Sequence, residues 1–188
     1  MNINIELEKF KQTPFFERRE DLLLLGISLV KKDGLWLEFG VAGGCSANLI
    51  AKNTKNTLYG FDSFDGLPED WTPWYKKGQF KQDKLPNVLP NVKLVIGGFE
   101  ETFPKFKQEP KDLAFIHIDS DLYNSAKSIF KWFGDSINSG TVIIFDELYN
   151  YEGFENHEIK AWLEFVVTRD LHYSYFGYSK FSVGLIIL

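Results

Sequence analysis

Residues 35–50 read LWLEFGVAGGCSANLI. A short apolar strand, a glycine-rich turn and the start of a helix follow one another, the opening unit of an alternating strand–helix fold. A dinucleotide-binding fingerprint, G-x-G-x-x-G, would have its first glycine where Glu38 stands. A carboxylate there repels pyrophosphate at a helix N-terminus, a place that otherwise attracts anions. A ligand with cationic groups reverses that sign.

The alternation continues outward from this unit. LYGF (58–61), VKLVI (92–96), LAFIHI (113–118) and TVIIF (141–145) are short apolar runs of the kind a sheet buries on both faces. Upstream, FFERREDLLLLGISLVKK has helical character. Ala126, Ile129, Phe130, Phe133 and Ile137 recur at helical spacing between Ser125 and Ile137, and HEIKAWLEFVV (157–167) predicts a further helix. The tail YSYFGYSKFSVGLIIL reads as two strands joined by a short polar turn. The expected fold is therefore α/β: a doubly wound, Rossmann-like, mostly parallel seven-stranded sheet with a C-terminal antiparallel hairpin. Residues 1–188 are expected to form one domain, with residues 1–34 an N-terminal helical segment. The stretch 62–92 lacks periodicity but carries Trp71, Trp74 and Tyr75, which predicts a lid or pocket wall.

With 44% hydrophobic and 16% aromatic residues, the chain belongs among globular proteins. A net charge of −5 argues against a nucleic-acid partner, which needs a basic face. The single cysteine, Cys45, excludes an internal disulfide and is expected to pack near a helix start. No apolar run approaches a membrane span and MNINIELEKFKQ lacks a signal core, so a cytoplasmic protein is expected.

S-adenosylmethionine satisfies the sign argument, having a sulfonium, an ammonium, a carboxylate and no phosphate. Gly40 and Gly43 would let the backbone approach it, and Glu38 would favour its amino group, directly or through water. Asp62 closes the second strand, where an acid can accept hydrogen bonds from both ribose hydroxyls, with Ser63 beside it. After the third strand, GGFEETFP offers Gly98 for close approach and Phe99 either for the adenine face or for the core.

LEFGVAGGCSA, YGFDSFDGLPEDW, GGFEETFP, FIHIDSDLYNSAK and IIFDELYNYEG, in that order, resemble the macrocin O-methyltransferase family. The likeness runs from about Phe16 to the C-terminus. It implies a class I S-adenosylmethionine-dependent enzyme that methylates hydroxyls of sugars and other natural-product scaffolds. It also implies a homodimer as one arrangement, since members are often oligomeric. Only residues 1–34 precede the first strand, so an N-terminal segment that helps close the site in longer members is expected to be reduced or missing.

Asp119 and Asp121 follow the fourth strand, and Asp146 and Glu147 follow the fifth. Carboxylates gathered there repel one another unless a cation binds, and oxygen ligands without Cys or His point to Mg²⁺. The resemblance implies that Asp119, Asp146 and Glu147 bind this metal, with Glu147 standing where the family usually has a second Asp. Asp121 reads as a helix N-cap. Asp119 is also expected to serve the cofactor and catalysis. Metal-dependent catechol-type enzymes place a lysine where this chain has Leu122, which leaves the general base open. His117 shares a strand face with Asp119 and is a candidate, against a reading as a buried sheet histidine. His157 reads as a helix start and His172 as structural. The expected activity is metal-assisted methyl transfer to a small hydroxylated molecule. The alternative is a non-catalytic nucleoside-binding domain with a partner or sensor role.

Overall fold

The computed structural model describes residues 2–108 and 112–188. Its sheet has seven strands in the order β3-β2-β1-β4-β5-β7-β6. These are β1 (Leu35–Phe39), β2 (Leu58–Asp62), β3 (Val92–Ile96), β4 (Leu113–Ile118), β5 (Val142–Phe145), β6 (Tyr173–Tyr178) and β7 (Val183–Ile187). β1 to β5 pair in parallel, whereas β7 runs antiparallel to both β5 and β6. The expected fold class is borne out. β1, β4 and β5 are buried at every position, which is why their sequences are continuous apolar runs.

Alternation along the strands divides the core. Leu37, Phe39, Ile116, Ile118 and Phe145 face α5 (Tyr123–Phe133) and α6 (Glu158–Arg169). Trp36, Phe115 and Ile144 face α2 (Arg19–Leu29) and α3 (Cys45–Lys52). α2 presses onto β5 at Gly26, where an added Cβ would lie 2.5 Å from Ile144 Cδ1. That contact fixes the start of α2 over the carboxyl end of β5. The short helix α4 (Phe99–Thr102) joins a cluster in which Phe99 and Phe103 stack at 4.8 Å.

The N-terminal segment holds a helix that the sequence reading did not separate, α1 (Ile3–Phe10). Its polar sequence hides one anchoring face. Phe10 is fully buried among Tyr149, Tyr175 and Tyr178. Glu6 Oε2 accepts hydrogen bonds from the hydroxyls of Tyr173 (2.7 Å) and Tyr175 (2.8 Å), while Lys9 Nζ donates to Oε1 (2.7 Å). Beyond α1, the Phe16 N–H bonds the Tyr178 carbonyl and the Tyr178 N–H bonds that of Pro14, covering the edge of β6. The predicted helix over 125–137 begins at Tyr123 and ends at Phe133, where a 3₁₀ turn over Gly134–Ser136 takes over. Residues 63–91 hold neither helix nor strand. They are nevertheless tied down: Asn48 on α3 bonds the backbone of Asn87 and Leu89, and Asn124 on α5 donates to Glu69.

Burial pushes the Glu6 carboxyl up, but the hydrogen bonds from Lys9, Tyr173 and Tyr175 outweigh it and leave the pKa below the ordinary 4.5. The lowered pKa stabilises the fold above that ordinary value, and the gain is lost as pH falls through the folded one. Glu6→Gln is expected to lower stability at neutral pH by about 1–3 kcal/mol. In urea unfolding followed by circular dichroism, the gap from the native chain should narrow as pH falls below the ordinary value of 4.5.

Candidate active site

The sheet order reverses between β1 and β4, so a crevice opens at their carboxyl ends. Gly40 begins the loop after β1 at φ +93°, and a Cβ there would lie 1.8 Å from the Asp119 carbonyl oxygen. No other residue type fits. The same approach lets the Asp119 N–H bond the Phe39 carbonyl (2.8 Å) and the Gly40 N–H bond that of Phe61 (2.9 Å). Asp62 clamps the loop from β2. Its Oδ2 accepts from the N–H groups of Val41 and Ala42, each at 2.8 Å, and its Oδ1 accepts from Phe64 N–H at 2.7 Å.

The crevice is a cleft of about 780 Å³. Gly40, Asp62, Ser63, Gly98 and Phe99 line one half; Trp71, Tyr75, Phe80, Tyr151 and Phe181 line the other. Asp119, Asp121 and Glu147 also line it, with Arg19 of α2. Trp71 stacks on Tyr75 at 5.2 Å and meets Tyr151 edge-on at 5.2 Å. The Trp71 indole N–H and Tyr151 hydroxyl are buried without a hydrogen bond of normal geometry. Burial, followed by the charge of Glu158, pushes the Tyr151 hydroxyl above its usual range, so it stays protonated at neutral pH.

Asp119, Asp146 and Glu147 each offer an oxygen within 4.8 Å of the others. Burial, then the negative charge of Asp146, raises Asp119 well above the carboxylate range. The same causes push Glu147 up to about 11, and Asp121 up to about 7. Asp146 goes the other way: burial works against it, but His117 and Arg19 hold it below its ordinary value. Glu158, at the start of α6, lies behind the group. Its Oε1 accepts from the N–H (3.0 Å) and Oγ (2.9 Å) of Ser120, while burial pushes its carboxyl up. The oxygen-only donors suit a hard divalent cation, and Glu147 Oε2 is buried without a hydrogen-bond partner. The residues fit Mg²⁺.

Several expectations are corrected by placement. Glu38 and His117 are register partners on neighbouring strands, on the sheet face toward α2 and α3. Both are fully buried, with His117 Nδ1 3.0 Å from Glu38 Oε1 and His117 Nε2 3.6 Å from Asp146 Oδ1. Neither is among the residues that line the cleft. Burial works against the His117 cation, but Asp146 and Glu38 outweigh it and raise its pKa to about 10. Gly43 lies outside the cleft, and a Cβ there would meet nothing within 4 Å. Asp121 has left-handed backbone (φ 63°), and Leu122 rather than Asp121 is the N-cap of α5. Cys45 is exposed rather than packed. His157 does cap α6, as its reading as a helix start implied. Phe99 lines the cleft and packs edge-on against Phe39 at 5.8 Å.

The sequence reading missed Arg19, Tyr151 and Glu158. Arg19 lies within a run read only as the charged start of a helix, and its partner Asp146 is 127 residues away. The aromatic content of residues 149–154 was the available signal for Tyr151.

A methyltransferase-domain family model matches residues 37–148, more than half of the chain. The chain belongs to that family, and by family and fold it is a class I S-adenosylmethionine-dependent methyltransferase. No curated protein matches it. Among solved structures it is similar to the calicheamicin methyltransferase CalS11 (TM-score 0.69, 22% identity), covering 90% of this chain and 80% of that one. The O-methyltransferase NovP gives a TM-score of 0.68 at 19% identity, covering 89% of this chain and 78% of that one. An O-methyltransferase from Bacillus cereus in complex with S-adenosylhomocysteine gives 0.52 at 16% identity, covering 89% and 78%. The resemblance to macrocin-type enzymes is borne out at the level of family and fold. Among the described residues, no helix is long and apolar enough to cross a membrane.

The raised His117 pKa makes a stability contribution that is fully present below the ordinary histidine value of 6.5 and is lost as pH rises through about 10. His117→Gln leaves buried Glu38 without its cation and Asp146 with Arg19 alone. It is expected to cost about 3–5 kcal/mol at neutral pH. Thermal melts across alkaline pH should show the native chain falling toward the variant.

Proposed function

We propose that this chain transfers the methyl group of S-adenosylmethionine to a hydroxyl of a small polyhydroxylated molecule, a sugar or natural-product scaffold, assisted by Mg²⁺. The observation that carries the reading is that one cleft joins the glycine loop, an aromatic wall and an acidic group with metal-ligand chemistry. Further support comes from similar structures described as O-methyltransferases, one of them as a TDP-rhamnose 3′-O-methyltransferase. The acceptor is free in solution rather than carried by a nucleic acid, in keeping with the charge of −5, and the enzyme is cytoplasmic.

In this reading the nucleoside lies along Gly40, Asp62, Ser63 and Gly98, with Phe99 against the adenine. Asp62 acts twice, holding the loop amides and facing the cleft where a ribose would sit. Residues 62–92 form the lid: Trp71 and Tyr75 give the acceptor ring an apolar face and exclude water. Tyr151, edge-on to Trp71, extends that aromatic wall. Asp119, Asp146 and Glu147 would hold the metal. Mg²⁺ bound there supplies Lewis acidity that favours the deprotonated acceptor oxygen. Asp119 spans both halves, because its backbone meets Gly40 while its carboxylate belongs to the acidic group. The acceptor oxygen attacks the sulfonium methyl in line, the sulfur–methyl bond breaks, and S-adenosylhomocysteine leaves. The hydroxyl proton is released to solvent. Holding the two reactants in line supplies much of the acceleration.

Calorimetric titration with S-adenosylhomocysteine tests the cofactor half. Binding is expected, and Asp62→Ala should weaken it at least about tenfold, roughly 1.4 kcal/mol. Methyl transfer to a panel of nucleotide-linked sugars and phenolic glycosides should then stop on chelation with EDTA while S-adenosylhomocysteine still binds. Absence of binding would remove the methyltransferase reading; chelator-resistant turnover would remove the metal.

A further inference from the structure

We infer that Arg19 is the resident counter-cation of the acidic group and that a divalent ion enters by displacing it, so that Arg19 sets the metal affinity of the site. The inference rests on the metal reading above. Both oxygens of Asp146 already face a cation: Oδ2 contacts Arg19 Nη1, and Oδ1 lies 3.6 Å from His117 Nε2. A metal ion needs one of those oxygens, so one of the two cations has to give way.

The surroundings decide which. His117 is 1% exposed, is held at 3.0 Å by Glu38 and sits inside a central strand. Arg19 has a side chain 47% exposed, sits in the first turn of α2 and borders the open cleft. Glu20 lies beside it, with Oε1 3.9 Å from Arg19 Nε, and offers the released guanidinium another partner. The helix itself has no need to move, because Gly26 locks it onto Ile144 seven residues beyond Arg19, whose long side chain can swing by itself.

The same three carboxylates attract both ions. Arg19 contacts Asp146 and lines the cleft with Asp119 and Glu147, and these are the three residues whose oxygens converge. A guanidinium brings one positive charge and reaches Asp146 alone by direct contact, leaving Glu147 Oε2 buried and unpartnered. A divalent ion brings two charges to all three. Arg19 thus keeps the acids from repelling one another in the metal-free chain and raises the concentration of metal needed to fill the site.

Titration calorimetry with MgCl₂, without cofactor, on the native chain, Arg19→Gln and Arg19→Lys tests this directly. Arg19→Gln is expected to bind Mg²⁺ at least about tenfold more tightly. Arg19→Lys, which keeps the charge and loses the fork, should fall between the two. Without metal, Arg19→Gln should melt below the native chain, and saturating Mg²⁺ should raise its melting temperature by the larger increment. If Arg19→Gln does not fold without metal, refolding in MgCl₂ must restore it. Equal or weaker binding by Arg19→Gln, or failure of that rescue, overturns the role of Arg19 while leaving the metal site in place. If no variant binds Mg²⁺ although S-adenosylhomocysteine still binds, the metal reading falls and this inference falls with it.

Discussion

His117 lies between two carboxylates on adjacent strands, and the acidic end of the sheet depends on that arrangement. Glu38 on β1, His117 on β4 and Asp146 just past β5 form a line across the sheet, which Arg19 extends from α2. Parallel pairing in register brings their side chains to one face. An isolated acid at Glu38 would be prohibitive in so apolar a layer, since burying an unpaired charge is costly. The imidazolium makes both acids tolerable and turns Asp146 toward the cleft end. The strand order that buries the core thus also gathers the acids.

The cleft inherits its two halves from the same topology. The loop after β1 and the acid ending β2 fall on one side of the switch point; the acids after β4 and β5 fall on the other. Gly40 is the seam, where the backbones of two loops touch with no room for a side chain. Any shift of the glycine loop is therefore felt at Asp119. The long segment between β2 and β3 lines the cleft through Leu67, Trp71, Tyr75 and Phe80, anchored to α3 through Asn48 and to α5 through Asn124.

Strands were legible because a doubly covered sheet demands continuous apolar runs, and LAFIHI and TVIIF satisfy that locally. The acids at strand ends were legible for a related reason: they break those runs abruptly. α1 was not legible, because its stability comes from Glu6 meeting two tyrosines more than 160 residues away, so its sequence looks merely polar. The end of α5 was overrun because Ile137 continues the helical spacing, while the backbone leaves the α-helix at Gly134, which packs under Phe165. Arg19 was invisible for the same reason as α1. A charge at a helix start has many local explanations, and only the three-dimensional path of α2 selects Asp146 among them.

The acid that made the glycine turn unusual, Glu38, belongs to a different part of the site than its sequence position implies. Periodicity along β1 sends Leu37 and Phe39 to one face and Trp36 and Glu38 to the other, so the carboxylate cannot follow the loop into the cleft. What it meets is the histidine at the same register of the next strand. The loop's own contacts, however, are with Asp62, which engages two consecutive amides. The geometry of the glycine loop therefore hangs on the end of β2, whereas Glu38 bears through His117 on the acids at the end of β5.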